Sequence, residues 1–320
     1  MIRAITAVQA MLTGALLALS PAGQAQLVTG LEGAQGSTIG PDGALYVTEG
    51  AAGRVTRVDP ETGATSTFAS GLPPSLIGVG GAVDVAFIND TAFVLVALNG
   101  TDVGGMTPVG VYRVDGPDSF TLIADLGAFA QANPPQTPFD LSQGVQYALE
   151  AYNGTLLVTD GHHNRVLRVT RRGNVNVFRS FGNIVPTGLD VDGSTVYVGQ
   201  AGAAPHAPEN GRVVAFAPGW QSDGKVASGA PLLVDIEFGG WRNLYVLAQG
   251  TWDGAFPGSP ALPLTGSLLK LAGNGRLDEV VDGLNLPTSL EIIGADAFVV
   301  SLAGEVWKLE GVIDPPFPAQ

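Results

Sequence analysis

His162, His163 and His206 are the only histidines in this 320-residue chain, which has no cysteine. Imidazole is the usual general base and metal ligand near neutral pH, so these three residues are the first candidates for chemistry. Carboxylates that could work beside them are Glu49, Glu150, Asp160 and Asp253, while Asp84, Asp190, Asp235 and Glu291 sit at alternating positions of apolar stretches. Carboxylate and carbonyl oxygens suit calcium, the one cofactor the residue types bring to mind, although no ligand set can be named. Without cysteine, thiolate nucleophiles, thiolate metal sites and disulfides are excluded. No Gly-x-Ser-x-Gly turn and no phosphate-cradling glycine loop after a strand is present. Trp252, Phe256, Phe129 and Phe139 could wall a planar ligand, or simply pin loops. The histidines too have a plain reading, as polar residues of turns.

The elements that must position these residues are short strands. Ile39 to Val58 reads strand, Asp42-Gly43 turn, strand, loop, strand, and Gly188 to Phe216 echoes it. The second strand of the unit recurs at Tyr46-Val47, Phe93-Val94, Leu157-Val158, Tyr197-Val198, Tyr245-Val246 and Phe298-Val299. First strands are expected at Ser37 to Ile39, Val83 to Phe87, Tyr147 to Leu149, Leu189 to Val191, Val234 to Phe238 and Ser289 to Ile292. Third strands are expected at Arg54 to Val58, Gly110 to Val114, Arg165 to Val169, Arg212 to Phe216, Ser267 to Leu271 and Glu305 to Leu309. A period of roughly 40–65 residues is that of four-stranded propeller blades. The pattern predicts an all-β, six-bladed β-propeller. Prolines after Leu309 forbid a further strand there, whereas Leu27 to Leu31 matches the outer strands ending in Gly-Leu at Leu72 and Leu284. The amino-terminal strand is therefore expected to complete the last blade and close the ring.

In this architecture the long loops Leu98 to Pro108, Gly127 to Gly144, Ala201 to Asn210 and Gln249 to Thr265 open on one face. A ligand site is expected there, built from His162, His163, His206, Glu49, Asp160, Gln249, Trp252 and Asp253. No residue can be assigned as catalytic.

Composition agrees with many short strands, since 45 glycines and 22 prolines accompany only 14% charged residues. Arg3, the apolar run Ala4 to Leu19 and the small residues around Ala25 read as a signal peptide over Met1 to Ala25. The expected organisation is signal peptide 1–25, propeller 26–312 and proline-rich tail 313–320, in a secreted or periplasmic protein. Removing Arg3 with the signal would take the formal charge from −14 to −15. Such a surface repels nucleic acid, and no later segment could be stably inserted in a membrane. Arg165, Arg168, Arg171 and Arg172 read as a solvated strand face. A monomer with a small-molecule or protein partner is expected.

Gly40-Pro41-Asp42-Gly43-Ala44-Leu45-Tyr46-Val47-Thr48-Glu49, Val185 to Leu189, Ala201 to Val213 and Leu286 to Leu290 together resemble the ScyD/ScyE family of exported propellers. The resemblance spans nearly the whole chain after the signal segment. It implies a context of scytonemin-type pigment biosynthesis but carries no catalytic residue over. Thr159 to Val166 resembles an NHL repeat, in which the Asp, Asn and Arg are turn and blade-locking residues. The leading expectation is a binding or accessory module. The alternatives are a metal-assisted hydrolase or lyase, of lactonase or streptogramin-lyase type, and a structural interaction scaffold. The first blade is similar to streptogramin-lyase propellers, which use a late-blade histidine; this chain has none after His206.

Overall fold

The computed structural model describes residues 23–256 and 258–315. The first repeat shows why each unit folds as it does. β2 (Ala34–Ile39) turns back at Asp42-Gly43, where Gly43 takes φ 75° and Asp42 Oδ1 accepts from the Ala44 amide. β3 (Leu45–Glu49) is buried throughout, β4 (Arg54–Val58) alternates, and β5 (Thr65–Ser70) exposes its first three residues. Burial thus falls from the inner strands to the outer edge of each sheet.

Six such four-stranded antiparallel sheets pack face to face in a closed series, the last meeting the first through β2 and β22 (Pro287–Ile293). The fold is a six-bladed β-propeller. The inner strands of blades two to five are β6 (Gly81–Ile88), β10 (Gln146–Tyr152), β14 (Pro186–Asp192) and β18 (Leu233–Phe238). All six second-strand marks expected from the sequence lie in second strands, and four third strands have the expected bounds. The core consists of the layers between blades. Tyr46, for example, meets Phe68 and Phe87 edge-on with centroids 4.9 Å away in each case, and Leu95, Leu156, Val158 and Leu167 fill the next layer.

The last blade is β22, β23 (Asp296–Ser301), β24 (Glu305–Leu309) and, from the other end of the chain, β1 (Gln24–Val28). β1 runs antiparallel to β24, pairing Gln24 with Leu309 and Gln26 with Trp307, with a bulge before Val28. The strand starts three residues earlier than Leu27, so Gln24 and Ala25 belong to the ladder. Residues 1–22 of the expected signal segment lie outside the described residues.

Three further details differ from expectation. The Gly127 to Gly144 connection contains a helix, α1 (Leu126–Ala132), capped where Asp125 accepts from the Ala128 amide. Arg165 is not on a solvated face but only 3% exposed. At the carboxyl end Ile313 is buried against Tyr245 and Leu309, and the Asp314 amide donates to the Tyr245 hydroxyl at 3.0 Å. The chain is therefore anchored further along than Leu309.

Deleting the chain through Leu31 removes the β1 ladder and the buried side chains Val28 and Leu31. At ~1.5–3 kcal/mol for each buried apolar side chain, the loss is several kcal/mol, with a lowered melting temperature and aggregation through the bared β24 edge. Ending the chain at Gly311 should also destabilise it, by about 2–5 kcal/mol for the loss of Ile313. Melting curves of both truncations check this.

Candidate functional site

Carboxylates crowd the axis of the ring because the inner strands alternate. Asp84, Glu150, Asp235, Glu237 and Glu291 line a cavity of about 20 Å³ together with Ser37 and Ser289. That volume admits about one water molecule. Asp84 accepts from its neighbour Val85 at 2.9 Å and from the Leu149 amide of the third blade at 2.7 Å. Asp235 does the same with Ile236 at 2.9 Å and with Leu290 of the sixth blade at 2.8 Å. Asp190 accepts from Val191 and, at 2.9 Å, from Phe238 of the fifth blade. Ser289 Oγ takes the corresponding place at the ring junction, accepting from the Ser37 amide at 3.1 Å. These amides lie on the inner edge of the sheets, and each tie joins one blade to the next. The approach needs Gly36 and Gly188, where a β-carbon would collide with Asp84 Oδ1 and Asp235 Oδ1.

Burial pushes Asp235 up to about 7 and Asp190 up to about 6, although the amides oppose it. Asp84, Glu150, Glu237 and Glu291 lie well above the ordinary carboxylate range, by burial first and then by the neighbouring carboxylates. Glu237 was legible from its alternation with Asp235 yet escaped the sequence reading. No group of three or more His, Asp or Glu among the described residues is placed to hold a metal ion. Asp84, Asp190 and Asp235 each engage both oxygens with backbone amides.

On the long-loop face the structure brings His162, His163 and Asp160 together and joins His206 to Trp252; Glu49 stands apart on the first blade. Asp160, fully buried, accepts from Arg165 Nε at 2.9 Å and Gln146 Nε2 at 3.2 Å. His163 Nε2 donates to the Leu141 carbonyl at 2.9 Å, and Nδ1 lies 3.0 Å from the Arg165 guanidinium and 3.4 Å from Asp160 Oδ2. Arg165 also donates to the Asn133 carbonyl at 2.7 Å and lies over Phe129. The whole network fastens the connection between blades two and three. Arg165 and Gln146 are missed by a reading that starts from histidines; the pairing of an acid with an arginine five residues on was the available signal.

The other nominated residues are fasteners too. Glu49 accepts from Arg54 at 2.7 Å, from Thr56 and from the Glu32 amide. Burial raises its pKa, but these bonds outweigh burial and hold it below the usual value. Gln249 donates to the Pro287 carbonyl and accepts from Ala261. His206 bonds the Ala201 carbonyl at 3.3 Å and meets Trp252 edge-on at 5.4 Å, while Trp252 and Asp253 both bond Ser259. Only His162 keeps an imidazole free of the loop-fastening network. Its Nε2 lies 3.3 Å from the Tyr147 hydroxyl, and burial lowers its pKa and raises that of Tyr147 to about 12.

Large apolar side chains stand exposed in the same loops and the adjoining connections: Leu76, Met106, Phe139, Leu262 and Leu264, with Met106 95% exposed. Phe139 packs its ring edge-on to His163.

The axial carboxylates make stability fall as pH rises. Unfolded carboxyl groups ionise near 4, whereas Asp190 and Asp235 hold their protons to about 6 and 7. Between those values the folded state binds more protons, so raising pH favours unfolding. Glu49, shifted the other way, loses its contribution only in more acid solution. The melting temperature should peak near about pH 5 and decline toward pH 8. Glu291 accepts no hydrogen bond from a described residue, so Glu291→Gln should raise the pH 8 value and flatten the decline, as melting across the range would show.

No protein-family model matches the sequence, and no curated protein matches it in sequence. Solved structures do match its fold. The gluconolactonase XC5397 from Xanthomonas campestris aligns over 90% of this chain and 89% of its own, at 12% identity and a TM-score of 0.62. Virginiamycin B lyase from Staphylococcus aureus covers 89% of this chain and 97% of its own at 12% identity and TM-score 0.54. A chain of a nidogen/laminin complex covers 81% of this chain and 84% of its own, at 13% identity and TM-score 0.55. These likenesses show a shared propeller fold.

Proposed function

We propose that this protein is an exported binding or accessory module that engages a protein or small-molecule partner through its long-loop face. The carrying observation is the contrast on that face. His163, His206, Asp160, Glu49, Gln249 and Asp253 are engaged in holding loops, while Leu76, Met106, Phe139, Leu262 and Leu264 are turned outward. Trp220 and Trp241 are exposed too, on short connections of the fourth and fifth blades, but the long connections carry five such side chains, and exposed apolar side chains mark an interaction surface more often than a reaction site. The narrow axial cavity points the same way, since it has no room for an organic substrate. The resemblance of Gly40 to Glu49, Val185 to Leu189, Ala201 to Val213 and Leu286 to Leu290 to ScyD/ScyE proteins supports a context of scytonemin-type pigment biosynthesis, and the apolar amino terminus is in keeping with a secreted or periplasmic location.

The enzyme reading rests on the fold shared with the gluconolactonase and the lyase, a fold that also serves in the nidogen/laminin complex, and fold alone does not select among them.

Replacing Met106, Leu262 and Leu264 together by Glu should leave melting nearly unchanged, as surface substitutions do, within about 0.5 kcal/mol each. The parent protein, immobilised and exposed to the exported fraction of cells that make it, should retain a partner that the triple variant loses. Lactone hydrolysis or streptogramin cleavage by the parent that survives the triple substitution would contradict the proposal.

A further inference from the structure

Three blades begin their third strand with arginine, each cross-paired with the last residue of the second strand: Glu49 with Arg54, Asp160 with Arg165 and Gln200 with Arg212. In the first two the paired residue is a carboxylate and binds the guanidinium, at 2.7 Å and 2.9 Å. The preceding connection adds a further acceptor in each, Glu32 for Arg54 and the Asn133 carbonyl for Arg165. In the fourth blade the carboxylate is replaced by an amide, and nothing takes its place. Arg212 makes no side-chain hydrogen bond or ion pair with a described residue, and its Nε is buried without a partner. A buried donor of a charged group left unsatisfied is costly, and native folds rarely carry one unless something else supplies the acceptor.

Arg212 and Gln200 border a cavity of about 260 Å³ in the wedge between the third and fourth blades, with Phe181, Ile184, Val214, Lys225 and one acid, Asp223. Lys225 has no carboxylate within ion-pair reach among the described residues, because the nearby acid, Asp223, is bound to Arg179 at 2.6 Å. The cavity therefore carries two cations without an ion-pair partner beside one acid, Asp223, that is already paired with Arg179, in a chain whose net charge is −14. It is also held in shape. Asn164 Oδ1 accepts from the Ile184 and Val185 amides at 2.8 and 2.9 Å, fixing the connection that forms one wall. The Arg179 tie from the third blade to Asp223 of the fourth braces the outer side.

We propose that this wedge binds a small organic carboxylate, whose carboxylate group takes beside Arg212 the place that Asp160 fills beside Arg165 and Glu49 beside Arg54. Lys225 adds a second cation, Gln200 Nε2 can donate to the same group, and Phe181, Ile184 and Val214 receive an apolar body. The volume lies just below the ~300–1,000 Å³ of drug-sized pockets, which limits the ligand to about one ring or a short chain. None of the exposed loop residues lines the cavity, so this site and the loop face stand or fall separately.

Benzoate is a suitable probe, with benzyl alcohol as its uncharged counterpart, and titration calorimetry on the full chain reads the binding. The parent should bind benzoate saturably and benzyl alcohol not at all. Arg212→Met should weaken benzoate by roughly tenfold or more, as loss of a charge-assisted bond does. Gln200→Glu should supply the missing acid from within, raise the melting temperature and weaken benzoate to a similar degree. Absence of saturable benzoate binding by the parent overturns the proposal, as does unchanged affinity in Gln200→Glu. Equal affinity for inorganic phosphate would overturn the carboxylate assignment.

Discussion

Closure of the ring is the constraint on which the rest of the structure depends. A four-stranded sheet with apolar side chains on both faces cannot stand alone in water, and each blade here is covered only by its two neighbours. The pairing of Gln24–Val28 with Glu305–Leu309 joins the ends of a chain without disulfides, so that no blade lacks a neighbour. Closure also forces six inner strands around one axis, where their inner-edge amides have no strand to bond. Asp84, Asp190, Asp235 and Ser289 answer those amides. The placing of Asp84, Asp190 and Asp235 at the axis follows from this need, and their raised proton affinities follow first from burial.

The same logic governs the face where chemistry was sought. Long connections must be held over the ends of the blades, and polar side chains at the strand ends are the groups within reach. Asp160, Arg165 and His163 hold one connection, Glu49 and Arg54 another, His206 with Trp252 a third. Leu76, Met106, Phe139, Leu262 and Leu264 remain outward among polar neighbours, which suits recognition of a partner. The missing acid opposite Arg212 is the exception to a pairing that the first and third blades follow, and the proposed carboxylate site rests on it.

Much of the fold could be read from the sequence because the signals are local and repeated. The Asp-Gly turns, the Tyr-Val and Phe-Val marks and the Gly-Leu endings fixed the blade phase, and with it the source of the closing strand. The bounds of that strand slipped because Gln24 and Ala25 also fit the end of an export signal. α1 was hidden in a connection rich in alanine and proline, where cap and helix span barely two turns. The roles of single polar residues were harder to read. Burial of His163 or Arg165 depends on which connection folds over them, and that is decided by residues some 20 to 30 positions away, such as Leu141 and Asn133. Gln200 and Arg212 were legible in principle, but only by laying the blades over one another.

Native-state hydrogen exchange at the amides of Leu149, Phe238 and Leu290 tests most directly whether the axial acids are ties. These amides donate to Asp84, Asp190 and Asp235. If the ties hold the ring, all three exchange only with global unfolding, as slowly as the central strands. Exchange at the rate of exposed loops, with the central strands still protected, would contradict the account.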